Sequence, residues 1–257
     1  MKILNWTLPG KFERFYKRQV EALGFEPEFV PNPDLPKDVN GRIRHEAEDL
    51  PGMSRRIEIR PTLSKKEAKH TITHEMMHLV LEQEGYPTVT VTPEQLAWED
   101  CATVLGQVLV HPIMDRRLDQ YGFDREAYSG RTLRQIGAAF REPPIRVPPG
   151  TKSWLVRLFV YVGITLRLSS SAAEECARLY ERRYPSIAQE GEQLVSFIRE
   201  HGFETPLQCL DILHNIFERY GLIPHMQIRD PRTGAPHEIT LAWLSHLPKS
   251  KKHGKGD

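Results

Sequence analysis

The sequence predicts an α+β protein, with short strands and helices in its N-terminal part and a mainly helical C-terminal region. Three observations carry that expectation. Two strand-like runs, 42–46 and 55–60, stand before residue 64 and are bounded by proline. Two helices with complete N-terminal signals follow, at 64–84 and about 93–110. Beyond residue 150, four helical segments succeed one another at 153–168, 171–183, 187–201 and 206–220. The working division is a domain over 1–140, a helical domain with a terminal hairpin over 150–247, and a disordered basic tail over 248–257.

The elements follow in order. Residues 11–23 (KFERFYKRQVEAL) read as an amphipathic helix that Gly24 ends. A proline-rich stretch runs from Pro27 to Pro36. In the second strand-like run Ile57 and Ile59 share a face, and Pro61 stops it. Ser64 and Glu67 form a capping-box pair for the next helix, and Gly85 closes it. Thr92 is the expected N-cap of the following helix, with Pro93 in its first position, Gln95 as its capping partner and Pro112 as its end. The segment 141–150 (REPPIRVPPG) reads as an extended linker. Strand signals at 225–229 and 238–244 suggest a hairpin.

Composition narrows the classes. The chain has 257 residues, enough for one large domain or two small ones with a sizeable core. A net charge of +1 gives no global pull toward nucleic acid or anionic membrane. Three widely spaced cysteines, Cys101, Cys176 and Cys209, fit neither a disulfide framework nor a paired-cysteine metal site, so a cytoplasmic setting is expected. The N-terminus has no sustained apolar core of the signal-peptide kind. The run Trp154–Leu168 is shorter than the roughly 20 residues of a membrane span, and Arg157 and Arg167 interrupt it. It reads as a buried helix.

The chemistry concentrates at THEMMH, residues 73–78. Residues four apart on a helix stack on one face, so His74 and His78 can reach one metal ion together. Glu75 then lies beside the metal, where a carboxylate can take a proton from a water. Ala68, Ile72, Met76, Leu79 and Val80 form an apolar stripe, and Thr71, His74, Glu75 and His78 an adjoining polar arc. The similar string His45–Asp49 falls in a strand-like region, where its residues alternate faces, and is set aside.

Catalytic zinc takes three protein ligands and a water, so a third ligand is needed. Glu99 is the candidate. It shares a helical face with Ala102, Thr103 and Gly106, small residues that would let a neighbouring helix approach. Asp100 is the alternative ligand, or a partner for a ligand histidine ring. His111 reads as a helix-end residue, and His70 as solvent-facing.

The stretches THEMMHLVL (73–81) and EDCATVLGQVLVHP (99–112) together resemble the ImmA/IrrE-like metallopeptidases, and more broadly the gluzincins. Glu99, Ala102, Leu109 and Pro112 match that pattern in register. Thr103 and His111 depart from it, standing where an Asn and an apolar residue are usual. The resemblance covers 55–112, and residues 150–247 match no family pattern. It implies a zincin-like core: a small sheet, an active-site helix and a backing helix. It also implies an edge strand that pairs with an extended peptide, for which Arg55–Arg60 is the candidate. Members of that family are often intracellular regulators that cut a repressor protein.

The expected activity is zinc-dependent hydrolysis of a peptide bond in an intracellular protein substrate, regulatory proteins included. His74, His78 and Glu99 would hold Zn²⁺, and Glu75 would act as general base and then protonate the leaving amine. Tyr121 and Tyr128 are candidates for stabilising the oxyanion. The competing reading is a catalytically inactive zinc-binding regulator that binds a partner through its C-terminal helices. A nucleic-acid role, suggested by residues 116–137 and the basic tail, is less favoured because such charge runs are commonly solvated faces. No membrane partner is expected.

Overall fold

The computed structural model describes residues 1–36, 39–44, 56–122, 125–141, 146–229 and 236–237. The string His45–Asp49 and the strand signal at 238–244 lie outside them. The class is α+β and mostly helical, with small sheets. Contacts divide the chain into two units. One comprises Met1–Gly85 with Gln120–Gly122; the other begins at Tyr86 and takes Tyr86–Asp119 with the later helices. The second predicted helix therefore groups with the C-terminal helices.

The first unit opens with a tight hairpin, β1 (Lys2–Ile3) and β2 (Trp6–Thr7). Helix α1 (Gly10–Leu23) buries Phe12, Phe15, Tyr16, Gln19 and Leu23, one stripe at helical spacing. It ends at Gly24, whose φ of 72° is the left-handed stop a glycine supplies. Strands β3 (Glu28–Pro31), β4 (Gly41–Arg44) and β5 (Arg56–Ile59) form a sheet in the order β3-β5-β4. β3 runs parallel to β5, and β4 antiparallel to it.

That order corrects one expectation. The run predicted as the peptide-pairing edge is the central strand, because β5 spends both of its backbone edges on β3 and β4. Among the described residues the edges are β3 and β4. Alternation divides the sheet cleanly. Ile57 and Ile59 are fully buried on one face. On the other, Glu58 accepts from Asn32 at 2.8 Å, Arg42 at 2.7 Å and Arg44 at 3.3 Å.

Helix α2 (Lys65–Gln83) starts where predicted. Ser64 caps Glu67 and Glu67 returns to Ser64, forming the capping box. The helix packs on α1, β4 and β5. Its apolar stripe is buried, and so are Thr73, Met77 and Leu81, so the helix is enclosed on more than one side.

In the second unit, β6 (Thr88–Thr90) pairs with β7 (Gln227–Arg229), which pairs with β8 (Pro236–His237). The helix expected over 93–110 divides in two. Pro93–Trp98 is a 3-10 turn with a non-helical residue at Gln95 (φ −111°). Thr92 gives no side-chain cap, and the Gln95 side chain lies 3.0 Å from His225 instead of closing a capping box. Helix α3 then runs from Glu99 to Asp119, with Pro112 inside it. Proline forfeits one helical hydrogen bond there, at a cost of about 3 kcal/mol in an exposed helix. Burial of Leu109, Val110, Ile113 and Met114 around it carries the helix through.

Helices α4 (Arg125–Ala139), α5 (Lys152–Arg167), α6 (Ser170–Arg183), α7 (Pro185–His201) and α8 (Pro206–Tyr220) complete the unit. The four expected beyond residue 150 are all present. α5 buries Trp154, Leu155, Leu158, Phe159, Tyr161 and Val162, as a core helix should. No described helix is long and apolar enough to cross a membrane. α3 packs chiefly on α5, where Gly163 leaves room for Val108: a Cβ at 163 would sit 3.6 Å from the Val108 Cα. The small residue Gly106 serves strand β6 rather than a helix, since a Cβ there would lie 3.5 Å from the Val89 backbone nitrogen.

Candidate metal centre

His74 and His78 project from the same face of α2. Their Nε2 atoms lie 3.1 Å apart, with the rings edge to face at 4.7 Å between centroids. Two nitrogens at tetrahedral positions about one zinc ion, each about 2.05 Å from it, are about 3.3 Å apart. The separation therefore suits a single ion. It equally suits one shared proton between the rings. His70 stands one turn earlier, 6.2 Å ring to ring from His74.

Glu75 is half-buried, and burial pushes its carboxyl up to about 7. Its surroundings follow from one glycine. A Cβ on Gly41 of β4 would lie 2.5 Å from Thr71 Cγ2 and 3.4 Å from Glu75 Cγ. Only a strand without a side chain there can pass so close to this face of α2. Glu75 thus has the β4 backbone beside it, and a carboxyl that ionises near neutrality has the pKa of a useful general base.

On α3, Glu99 is the first residue and is exposed, as is Asp100. His111 is buried. Its Nδ1 lies 3.3 Å from Nη1 of Arg167, the last residue of α5. Arg167 also donates from Nε to Asp115 at 2.6 Å and from Nη2 to the other Asp115 oxygen at 3.3 Å. Among the described residues, His74 and His78 on α2 offer two neighbouring ligand nitrogens, so this pair could hold a metal ion. His111, expected at a helix end, lies inside α3.

Tyr121 accepts a hydrogen bond from Gln19 at 3.2 Å and packs edge to face on Phe15 at 5.0 Å, both on α1. Tyr128 falls in α4, and its side chain lies outside the described set. Comparison with family models, with curated proteins and with solved structures gives no match to this chain.

Proposed function

We propose that the chain is a zinc-dependent peptidase whose centre is the His74–Glu75–His78 segment of α2. One observation carries the reading: two convergent imidazole nitrogens 3.1 Å apart on the helix that also carries Glu75, whose carboxyl burial pushes up to about 7. The pattern in THEMMH and in the α3 segment beginning at Glu99, similar to the ImmA/IrrE-like metallopeptidases, gives independent support.

His74 and His78 are the proposed ligands, with Glu99 as the third that the sequence spacing favours. Nitrogen and carboxylate donors of this kind suit zinc. When bound, the ion contributes Lewis-acid chemistry, polarising a carbonyl and making a water more acidic. Glu75 takes the proton from the attacking water and delivers it to the leaving amine. β4, with Gly41 beside Glu75, is the strand on which an extended peptide would pair, in place of β5.

The experiment compares wild type, Glu75→Gln and Glu99→Ala for zinc content and peptide cleavage. Glu75→Gln should keep zinc and lose cleavage, and Glu99→Ala should bind zinc weakly. Cleavage undiminished in Glu75→Gln would refute the assignment.

A further inference from the structure

We infer that the outer edge of β4 receives an extended peptide with acidic side chains at alternate positions, and that Arg42 and Arg44 select them. The consequence, that acidic segments are the substrate class, rests on the peptidase reading; the docking itself does not.

The backbone comes first. Among the described residues β4 pairs only with β5, which leaves its other edge open. The opposite edge strand, β3, ends in Pro31 and follows Pro27, and proline has no N–H to give a ladder. β4 (Gly-Arg-Ile-Arg) contains no proline. Next to β4, Arg60 donates its backbone N–H to the Asn40 carbonyl at 2.9 Å. Antiparallel alternation from that bond turns the N–H and C=O of Gly41 and Ile43 toward the outer edge.

The side chains supply the selectivity. Arg42 is paired with Glu58 in register, so Arg42 and Arg44 stand on the sheet face away from Ile57 and Ile59. Glu58 is 5% exposed and accepts from Arg42 Nε at 2.7 Å and from Arg44 Nη1 at 3.3 Å, one on each oxygen. The arginines themselves are 51% and 56% exposed. One buried carboxylate thus anchors two guanidinium groups and balances the charge of one. Arg56, opposite Arg44, is engaged by Glu28 at 2.7 Å. An excess positive charge therefore stands at fixed places along an open strand edge, with most of the N–H donors of both arginines turned from Glu58.

Arg42 and Arg44 are two residues apart, about 6.8 Å along the strand. Residues opposite them in an added strand have the same spacing, with Cβ atoms about 4.5–5.5 Å away on the same face. Carboxylates at those positions meet the guanidinium groups. The intervening peptide residues turn to the α2 side, where Gly41 adjoins Glu75. A nucleic acid would meet the charge but has no peptide backbone to pair with the edge, so the geometry favours a peptide.

The test measures fluorescence anisotropy of labelled peptides on the full chain, kept metal-free by a chelator so that none is cut. One peptide has two glutamates separated by one residue. A second has the same composition with the glutamates adjacent, and a third has glutamine in place of both. The inference expects the first to bind about tenfold more tightly than the third and clearly more tightly than the second, with both margins shrinking as salt rises. Equal affinity of the first peptide and either control overturns it, as does tighter binding of a single-stranded oligonucleotide. Arg42→Gln/Arg44→Gln should abolish the preference, and Arg42→Lys/Arg44→Lys should keep part of it. Should the glutamine pair unfold, Arg44→Gln alone, which leaves Arg42 on Glu58, should lower the preference by about threefold. A preference unchanged by removal of these charges overturns the inference. Zinc-loaded protein separates the two readings. Cleavage with no acidic preference sinks the docking and leaves the peptidase reading standing. Selective binding without any cleavage sinks the peptidase reading and leaves the docking site.

Discussion

The Nε2 atoms of His74 and His78 lie 3.1 Å apart on one face of α2. Such a pair rewards whatever cation sits between its lone pairs. At low pH it is penalised, because two protonated rings repel. Zinc at 100 times its dissociation constant should therefore stabilise the fold by about 2.7 kcal/mol. Thermal unfolding with added zinc, and again after chelation, checks this. A melting temperature indifferent to both treatments would mean that the pair binds no ion.

Gly41 should be intolerant of any side chain. Gly41→Ala puts a Cβ 2.5 Å from Thr71 Cγ2, and the strand or helix must give way. The expected loss is about 1–3 kcal/mol, with cleavage falling because Glu75 is displaced too. Thr71→Ser removes the obstructing methyl. The double variant Gly41→Ala/Thr71→Ser should recover most of the stability in a denaturant titration. Simple additivity of the two substitutions would show that the contact is not the cause.

Glu58 should give the fold an acid-side dependence. Burial alone would raise its pKa, but hydrogen bonds from Asn32, Arg42 and Arg44 with the Arg42 charge outweigh that and lower it. A carboxyl depressed in the folded state contributes stability that is present above its unfolded pKa. That stability is lost as pH falls through the folded value. Unfolding free energy should therefore decline below about pH 4.5, and Glu58→Gln should flatten this part of the decline. It should also cost about 1–3 kcal/mol at neutral pH, since two arginines lose their shared acceptor. Equilibrium unfolding of both proteins between pH 3 and 7 makes the comparison, and an unchanged slope would dissociate Glu58 from the effect.

Gly191 should be the least replaceable residue of α7. A Cβ there would lie 2.2 Å from Cδ1 and 2.5 Å from Cε1 of Tyr161, which is fully buried. Gly191→Ala should destabilise by roughly 1–3 kcal/mol despite the better helix propensity of alanine. A stability equal to or above wild type in chemical denaturation would show that the Tyr161 ring moves freely aside.

Local signals in the sequence were legible wherever a side chain answers its own neighbours. Ser64 with Glu67 gave the start of α2, Gly24 the end of α1, and apolar periodicity all four helices beyond residue 150. The pairing of His74 with His78 needs only the helical repeat, and so it too could be read. What escaped was decided by residues far along the chain. Gln95 left its capping role because His225 is its partner. Gly106 serves β6, and Pro112 stays inside α3 because burial on both sides of it holds the helix. The central place of β5 depends on β3 arriving in parallel, which strand patterning does not encode. The contact of His111 with Arg167 likewise joins residues 56 positions apart.

The central claim is that α2 carries a metal site, and metal content tests it most directly. Protein made without an affinity tag is dialysed against zinc, freed of unbound ion and measured by elemental analysis, alongside His78→Ala. The account predicts one zinc per wild-type chain and far less in the variant. A wild-type chain that holds no divalent metal after this treatment, or a His78→Ala chain that holds as much as wild type, would contradict it.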